Sequence, residues 1–324
     1  LPNFPTPPTT NPFFSIVIPV YNVERYISRC LNSCIQQIFK EIEIIIVDDC
    51  GTDDSMQIAQ EFAKDNRIKI LHNATNLGTF HTRLKGIQEA NGEFILFVDS
   101  DDYIDLDTCE RIYNLLALDY QENGEWTDVL CYLFAEKDTK LDQTIIKLDT
   151  HNPYQEMINF SRWNLCNKIY KRSILKTTSK FIEQYFPNLP KMNMAEDALQ
   201  FFITAIFVKR SFGIRDSFYH YCENLSSITK TEDELKISQS VQHFQVIIKM
   251  LDLIPYRNLP HPKIVQTNKI TLQKNLAINA FIFQKTINGQ KMNVSIYISI
   301  KLWRYYQSWK AKAKILLINL LSND

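Results

Sequence analysis

Along residues 14–98 the chain alternates two hydrophobic rhythms. "FSIVIPV" (14–20), "EIEIIIV" (41–47), "RIKIL" (67–71) and "EFILFV" (93–98) are short runs dominated by Ile, Val, Leu and Phe, the pattern of strands covered on both faces. Between them, "VERYISRCLNSCIQQ" places Ile27, Leu31, Cys34 and Ile35 on one helical face, and "MQIAQEFAK" after Asp53-Asp54-Ser55 and "FHTRLKGIQEA" read as two further helices. This β-α-β-α-β-α-β order predicts an α/β fold with a mostly parallel central sheet flanked by helices. The second half is less regular. "TDVLCYLF" (127–134) reads as a strand, helices are expected around 154–160 and 194–208, and "SFGIRDSFYHYC" reads as a returning strand or hairpin. From about Glu232 onward only helices are expected, and no repeat is visible.

Composition narrows the classes. The 36 basic and 36 acidic residues cancel, so any electrostatic function must come from local clusters, and nucleic-acid binding is not expected. Seven cysteines are scattered without a C-x-x-C pair, which fits a reducing cytoplasm better than a disulfide framework or a zinc site. No run of about 18 apolar residues occurs, so no membrane-spanning helix is expected.

Candidate chemistry gathers where each parallel strand ends. In an open parallel sheet, ligands bind beyond the carboxyl ends of the strands. Those ends carry Pro19-Val20-Tyr21-Asn22, Asp48-Asp49, Asn73 to Gly78, and Asp99-Ser100-Asp101-Asp102. Carboxylates crowded together repel one another and ionise reluctantly unless a cation neutralises them. A D-x-D spacing of hard oxygen ligands suits Mg²⁺ or Mn²⁺, ions that also take phosphate oxygens as ligands. The structural alternative is that Asp101 or Asp102 caps a helix starting near Asp105. Ile104 occupies the position where an EF-hand loop requires glycine. Neither a Walker sequence nor G-x-G-x-x-G follows any strand.

Taken together, "FSIVIPVYNVERYISRCLNSCIQQ", "IEIIIVDDCGTDDS", "NLGTFHTRLKGIQEANGEFILFVDSDDYI" and "AEDALQFF" resemble the family 2 glycosyltransferases of GT-A fold, inverting enzymes common in bacterial surface-polysaccharide assembly. The resemblance is dense over about 14–120 and sparser to about 230. It implies that Pro19, Tyr21 and Asn22 line the nucleotide base and that Asp49, with Asp48 beside it, hydrogen-bonds the base. Asn76 and Gly78 would form the turn under the nucleotide. Arg83 resembles the arginine of "A-R-N-x-G", although Leu84 replaces the asparagine. Asp99, next to Ser100, would face the ribose or the metal, and Asp101 would ligate the metal that bridges the diphosphate. Asp197 would be the general base, with Glu196 contacting acceptor or sugar hydroxyls. Acids in a first helical turn also suit the helix dipole with no catalytic role. Lys168 would contact the diphosphate and Trp163 would offer a sugar platform, or both would simply pack. His220 would approach the leaving diphosphate or be structural.

The domains expected are a disordered leader (1–12), a GT-A catalytic domain (13–230) and a helical C-terminal region (231–324). The catalytic domain would divide into a nucleotide-sugar half to about 120 and an acceptor half from 121. Residues 301–321 hold five basic residues and no acidic one, interleaved with Trp303, Tyr305, Tyr306 and Trp309. Such a helix suits peripheral contact with the cytoplasmic face of the inner membrane or packing in a homodimer. The resemblance implies a UDP-sugar donor first and a GDP-sugar second, Mn²⁺ or Mg²⁺, and a glycan or glycolipid acceptor such as lipopolysaccharide. Two other classes remain open: a D-x-D phosphotransferase or phosphatase, and a non-catalytic glycan-binding scaffold.

Overall fold

The computed structural model describes residues 12–134, 163–224 and 233–287. The four strands expected from the Ile/Val runs form as β1 (Phe14–Val20), β2 (Ile42–Asp48), β3 (Ile68–His72) and β4 (Phe94–Phe97). They lie side by side as β3-β2-β1-β4, all parallel, with Phe14 opposite both Ile42 and Phe94. Every residue of β1 is buried, because β1 has a strand on each side and a helix layer on each face. Each fully buried Ile or Val contributes about 1.5–3 kcal/mol.

On one face the core of β1, β2 and β4 meets α1 (Ile27–Ile35) through Ile27, Cys30, Leu31 and Cys34, and α4 (Thr108–Asn123) through Cys109, Ile112 and Leu116. On the other face α3 (Thr79–Glu89) approaches so closely that a Cβ on Gly86 would stand 2.3 Å from Val17 Cγ1. Helix α2 (Ser55–Phe62) joins β2 to β3. The polar Ser15 is tolerated inside β1 because its hydroxyl donates to Glu43 and accepts from the Gly92 amide.

Beyond β4 the sheet departs from the simple parallel pattern. β5 is Tyr103–Ile104, β6 is Val129–Phe134, β7 is Lys168–Lys171 and β8 is Ser211–His220. β7 pairs antiparallel with β4, placing Leu96 opposite Ile169, and the order continues β7-β6-β8-β5. β8 is one strand, parallel to β6 and antiparallel to β5, rather than a hairpin. α5 (Arg172–Tyr185) follows β7 directly.

The chain divides into two units. Among the described residues the first comprises 12–134, 164–192 and 207–224, and the second comprises Trp163, 193–206 and 233–287. The helical C-terminal region was expected to begin at residue 231; the stretch 193–206 groups with it in the second unit. That unit holds α6 (Glu196–Phe207, whose last residue falls in the first unit), α7 (Glu234–Leu253) and α8 (Pro262–Ile287). Asp233 caps α7 by accepting from the Leu235 and Lys236 amides. α7 and α8 pack antiparallel, with Phe244 against Phe283 and Asp252 paired with Lys269. Residues 1–11, the helix expected at 154–160 and the basic-aromatic segment 301–321 lie outside the described residues.

Candidate active site

The loops after β1 and β2 are sewn together by side chains. Asn22 sits in the left-handed region (φ 52°), which asparagine tolerates, and its Oδ1 accepts from the Thr52 amide at 2.8 Å. The Val23 amide donates to Ser55 Oγ at 2.7 Å and the Glu24 amide to Asp53 Oδ2 at 2.9 Å. Gly51 permits this closeness: a Cβ there would lie 2.9 Å from Asn22 Oδ1. Pro19 is buried inside β1, whereas Tyr21 is 48% exposed at its end. An exposed aromatic beside a rigid turn is a surface on which a planar ring can lie.

Asp49, expected against the base, is turned into the protein. It is 4% exposed, and its carboxylate accepts from Asn73 Nδ2 at 2.8 Å and from the Leu77 and Gly78 amides at 2.8 and 2.9 Å. Its role here is to fix the loop after β3. Gly78 takes φ 84°, open to glycine at no cost. Asp48 is likewise engaged, accepting from the Cys50 amide at 2.9 Å and facing His72 Nδ1 at 2.9 Å. In the loop so shaped, the Asn76 Oδ1 is buried without a hydrogen-bond partner, an acceptor that a ligand donor would satisfy. Asp49→Asn replaces one acceptor oxygen with a donor facing a backbone amide. It is expected to destabilise the protein by about 1–3 kcal/mol, read as a lowered urea midpoint at unchanged slope.

The acidic loop after β4 separates its three aspartates by direction. Asp99 accepts from Arg83 Nη2 at 2.7 Å, and Arg83 itself is buried. Asp101 accepts from Asn224 Nδ2 at 2.9 Å, and Arg29 donates to the Asp101 carbonyl at 2.8 Å. Burial, then the neighbouring Asp99 charge, pushes the Asp101 carboxyl above its ordinary range. Asp102 points inward: it is 1% exposed and accepts from Tyr219 Oη and the Cys222 amide, both at 2.7 Å. Neither Asp101 nor Asp102 caps a helix, since α4 begins only at Thr108.

Burial, then Asp99 and Asp101, pushes Asp102 up to about 8. The folded chain therefore holds a proton that the unfolded chain releases near pH 4. Stability of the metal-free protein should fall as pH rises from about 4 to about 8. Asp102→Asn should flatten that slope, as measured by melting temperature against pH in EDTA. An unchanged slope would contradict the assignment.

Other expected residues fall elsewhere. Lys168, expected at the diphosphate, is 0% exposed and donates to the Asn164 carbonyl and, at 2.7 Å, to Asn167 Oδ1. It supports the β7 side of the sheet from within. His220 stacks on Tyr103 with ring centroids 4.2 Å apart and faces Asp105 Oδ1 at 2.6 Å, a structural arrangement. Ser100 is buried in the acidic loop. Glu196 and Asp197 open α6 in the second unit, directly after Ala195 at φ 60°; Trp163 is half-buried in that unit. Sequence reasoning missed Arg29, Tyr219 and Asn224, whose partners are remote in the chain.

Among the described residues no group of three or more His, Cys, Asp or Glu could hold a metal ion. What the first unit presents is the pair Asp99 and Asp101: hard oxygen donors, crowded enough to raise Asp101, with Arg83 on one side. This donor set fits a hard divalent cation shared with diphosphate oxygens and water rather than one caged by protein alone.

Residues 15–179 match the model of Glycosyl transferase family 2, more than half of the chain. The chain belongs to glycosyltransferase family 2. EpsH of Bacillus subtilis (strain 168) is 36% identical over 229 residues, covering 68% of this chain and 63% of that relative. The poly(ribitol-phosphate) beta-N-acetylglucosaminyltransferase TarS of Staphylococcus aureus is 28% identical over 291 residues, covering 87% of this chain and 46% of TarS. The chain thus spans less than two thirds of the length of each of these two relatives. The solved structure of S. aureus TarS 1-349 with UDP-GlcNAc superposes with TM-score 0.56 at 20% identity, covering 86% of this chain and 93% of that one. The mannosyltransferase PcManGT of Pyrobaculum calidifontis, in complex with GDP-Man and Mn²⁺, gives TM-score 0.54 at 14% identity, covering 95% and 86%. These likenesses establish the GT-A fold for this family 2 chain.

Proposed function

We propose that this family 2 chain is a metal-dependent inverting transferase that moves a sugar from a nucleotide-sugar to a growing cell-surface glycan. The observation that carries the reading is the Asp99–Asp101 pair at the carboxyl end of β4, under-neutralised and placed beside Arg83. Tyr21 and the laced turns at Asn22 and Asp48–Asp49 shape the base pocket, and Asn76 and Gly78 form its floor. Asp99 and Asp101 are the residues that would hold a divalent cation near the diphosphate, and Arg83 orients Asp99. Such a cation would stabilise the negative charge that develops on the departing nucleoside diphosphate. Asp197 is the general base of this reading, taking the proton of the attacking acceptor hydroxyl, and Glu196 contacts acceptor or sugar hydroxyls.

A UDP-sugar is the first expectation for the donor, in keeping with the TarS complex, and a GDP-sugar, as in the PcManGT complex, is the second. The acceptor is a surface polymer, either a lipopolysaccharide chain or a polymer of the kind named for TarS. We place the work at the cytoplasmic face of the inner membrane, with residues 301–321 as the peripheral contact or a dimer element. Among the described residues no helix is long and apolar enough to cross a membrane.

The test is phosphorus NMR of UDP-sugars and GDP-sugars incubated with the protein, Mn²⁺ and bacterial surface glycan, with EDTA as control. Metal-dependent release of the nucleoside diphosphate, with an inverted anomeric product, is expected. Inorganic phosphate released from small phosphoesters through an acid-labile aspartyl adduct would overturn the reading in favour of a phosphotransferase.

A further inference from the structure

The end of β8 grips the acidic loop from behind. Tyr219 is wholly buried, and its hydroxyl accepts from the Asp99 amide at 2.9 Å and donates to Asp102 Oδ2 at 2.7 Å. Three residues on, the Cys222 amide donates to Asp102 Oδ1 at 2.7 Å, and Asn224 Nδ2 donates to Asp101 Oδ2 at 2.9 Å. The β5–β8 pairing sets Ile104 opposite Tyr219 and closes the loop on its other side. A phenylalanine would fill the same space against Phe134, whose ring centroid lies 5.5 Å away. Packing alone therefore does not account for the hydroxyl. With the Asp99 amide on its lone pair, that hydroxyl has its proton directed at Asp102, so one atom fixes both the backbone and the inward acid of the loop.

We propose that residues 219–224 are a strap that aims the Asp99 and Asp101 carboxylates at a divalent cation carried with a nucleoside diphosphate, with Tyr219 and Asn224 as positioning residues. This inference rests on the transferase reading above. Partners behind ligating carboxylates fix their orientation, and losing one typically weakens metal binding by about 10–100-fold.

The experiment titrates Mn²⁺ by electron paramagnetic resonance in the presence of UDP, and separately of GDP, for the wild type, Tyr219→Phe and Asn224→Ala. Both variants should bind Mn²⁺ about 10-fold more weakly, with the KM for Mn²⁺ raised and kcat at saturating Mn²⁺ near the wild-type value. In Tyr219→Phe the Asp99 amide should also exchange hydrogen faster while the β1 and β2 amides stay protected. Unchanged Mn²⁺ affinity in both variants would overturn the strap. If Tyr219→Phe does not fold, Asn224→Ala, which lies beyond the strand end, decides the matter alone. A wild type that binds no Mn²⁺ with either nucleotide would overturn the metal-dependent reading itself, a failure visible before any variant is compared.

Discussion

Asp101→Ala is expected to abolish metal-dependent nucleotide binding while leaving the fold in place. The Asp101 carboxyl is held above its ordinary range by burial and by Asp99, so its charge is an electrostatic cost that a cation would relieve. Removing it takes away a ligand and leaves Asp99 already committed to Arg83 on one oxygen. Loss of an outer partner alone weakens a metal site by about 10–100-fold, so loss of the ligand should exceed about 100-fold. Calorimetric titration of nucleoside diphosphate with Mn²⁺ measures this. Binding equal to that of the wild type would remove Asp101 from the site. Because the variant also relieves charge crowding, its melting temperature without metal should not fall.

The second large effect is expected at Asp197. Asp197→Asn keeps shape and polarity but cannot accept a proton, so kcat should fall by about 10²–10⁴-fold, the usual contribution of general base catalysis. Donor affinity should be unchanged, because the residue acts on the acceptor. The two variants thus separate binding from chemistry: one loses nucleotide, the other keeps it and stops transfer. Equal loss of donor binding in both would refute the division of roles.

The four parallel strands were legible because a strand buried on both faces needs no polar side, and Ile/Val runs such as "IEIIIV" have few other uses. The clustering of acids at the strand ends was legible for the same reason: a parallel sheet sends every strand end to one edge. β7 was not legible. Its four residues, Lys168–Lys171, begin and end in lysine, and only the antiparallel pairing with β4 and β6 makes a strand of them. Nor could the sequence sort three neighbouring aspartates. Asp99 and Asp101 were separated from Asp102 by backbone direction and by Tyr219, which lies 117 residues from Asp102 and reaches it only once β8 has joined the sheet. At the end of β2 the residue types were right for a ligand edge, yet Asp49 serves the Asn73–Gly78 loop instead, because two backbone amides there need an acceptor.

The measurement that bears most directly on the central claim is a thermal-shift panel of UDP, GDP and CMP, each with and without Mn²⁺. A ligand at about 100 times its Kd adds roughly 2.7 kcal/mol to stability, well within reach of a melt. Stabilisation by one nucleotide class, present with Mn²⁺ and lost in EDTA, is the predicted result and names the donor. Equal stabilisation with and without metal, or none from any nucleotide, would contradict a site built on Asp99 and Asp101.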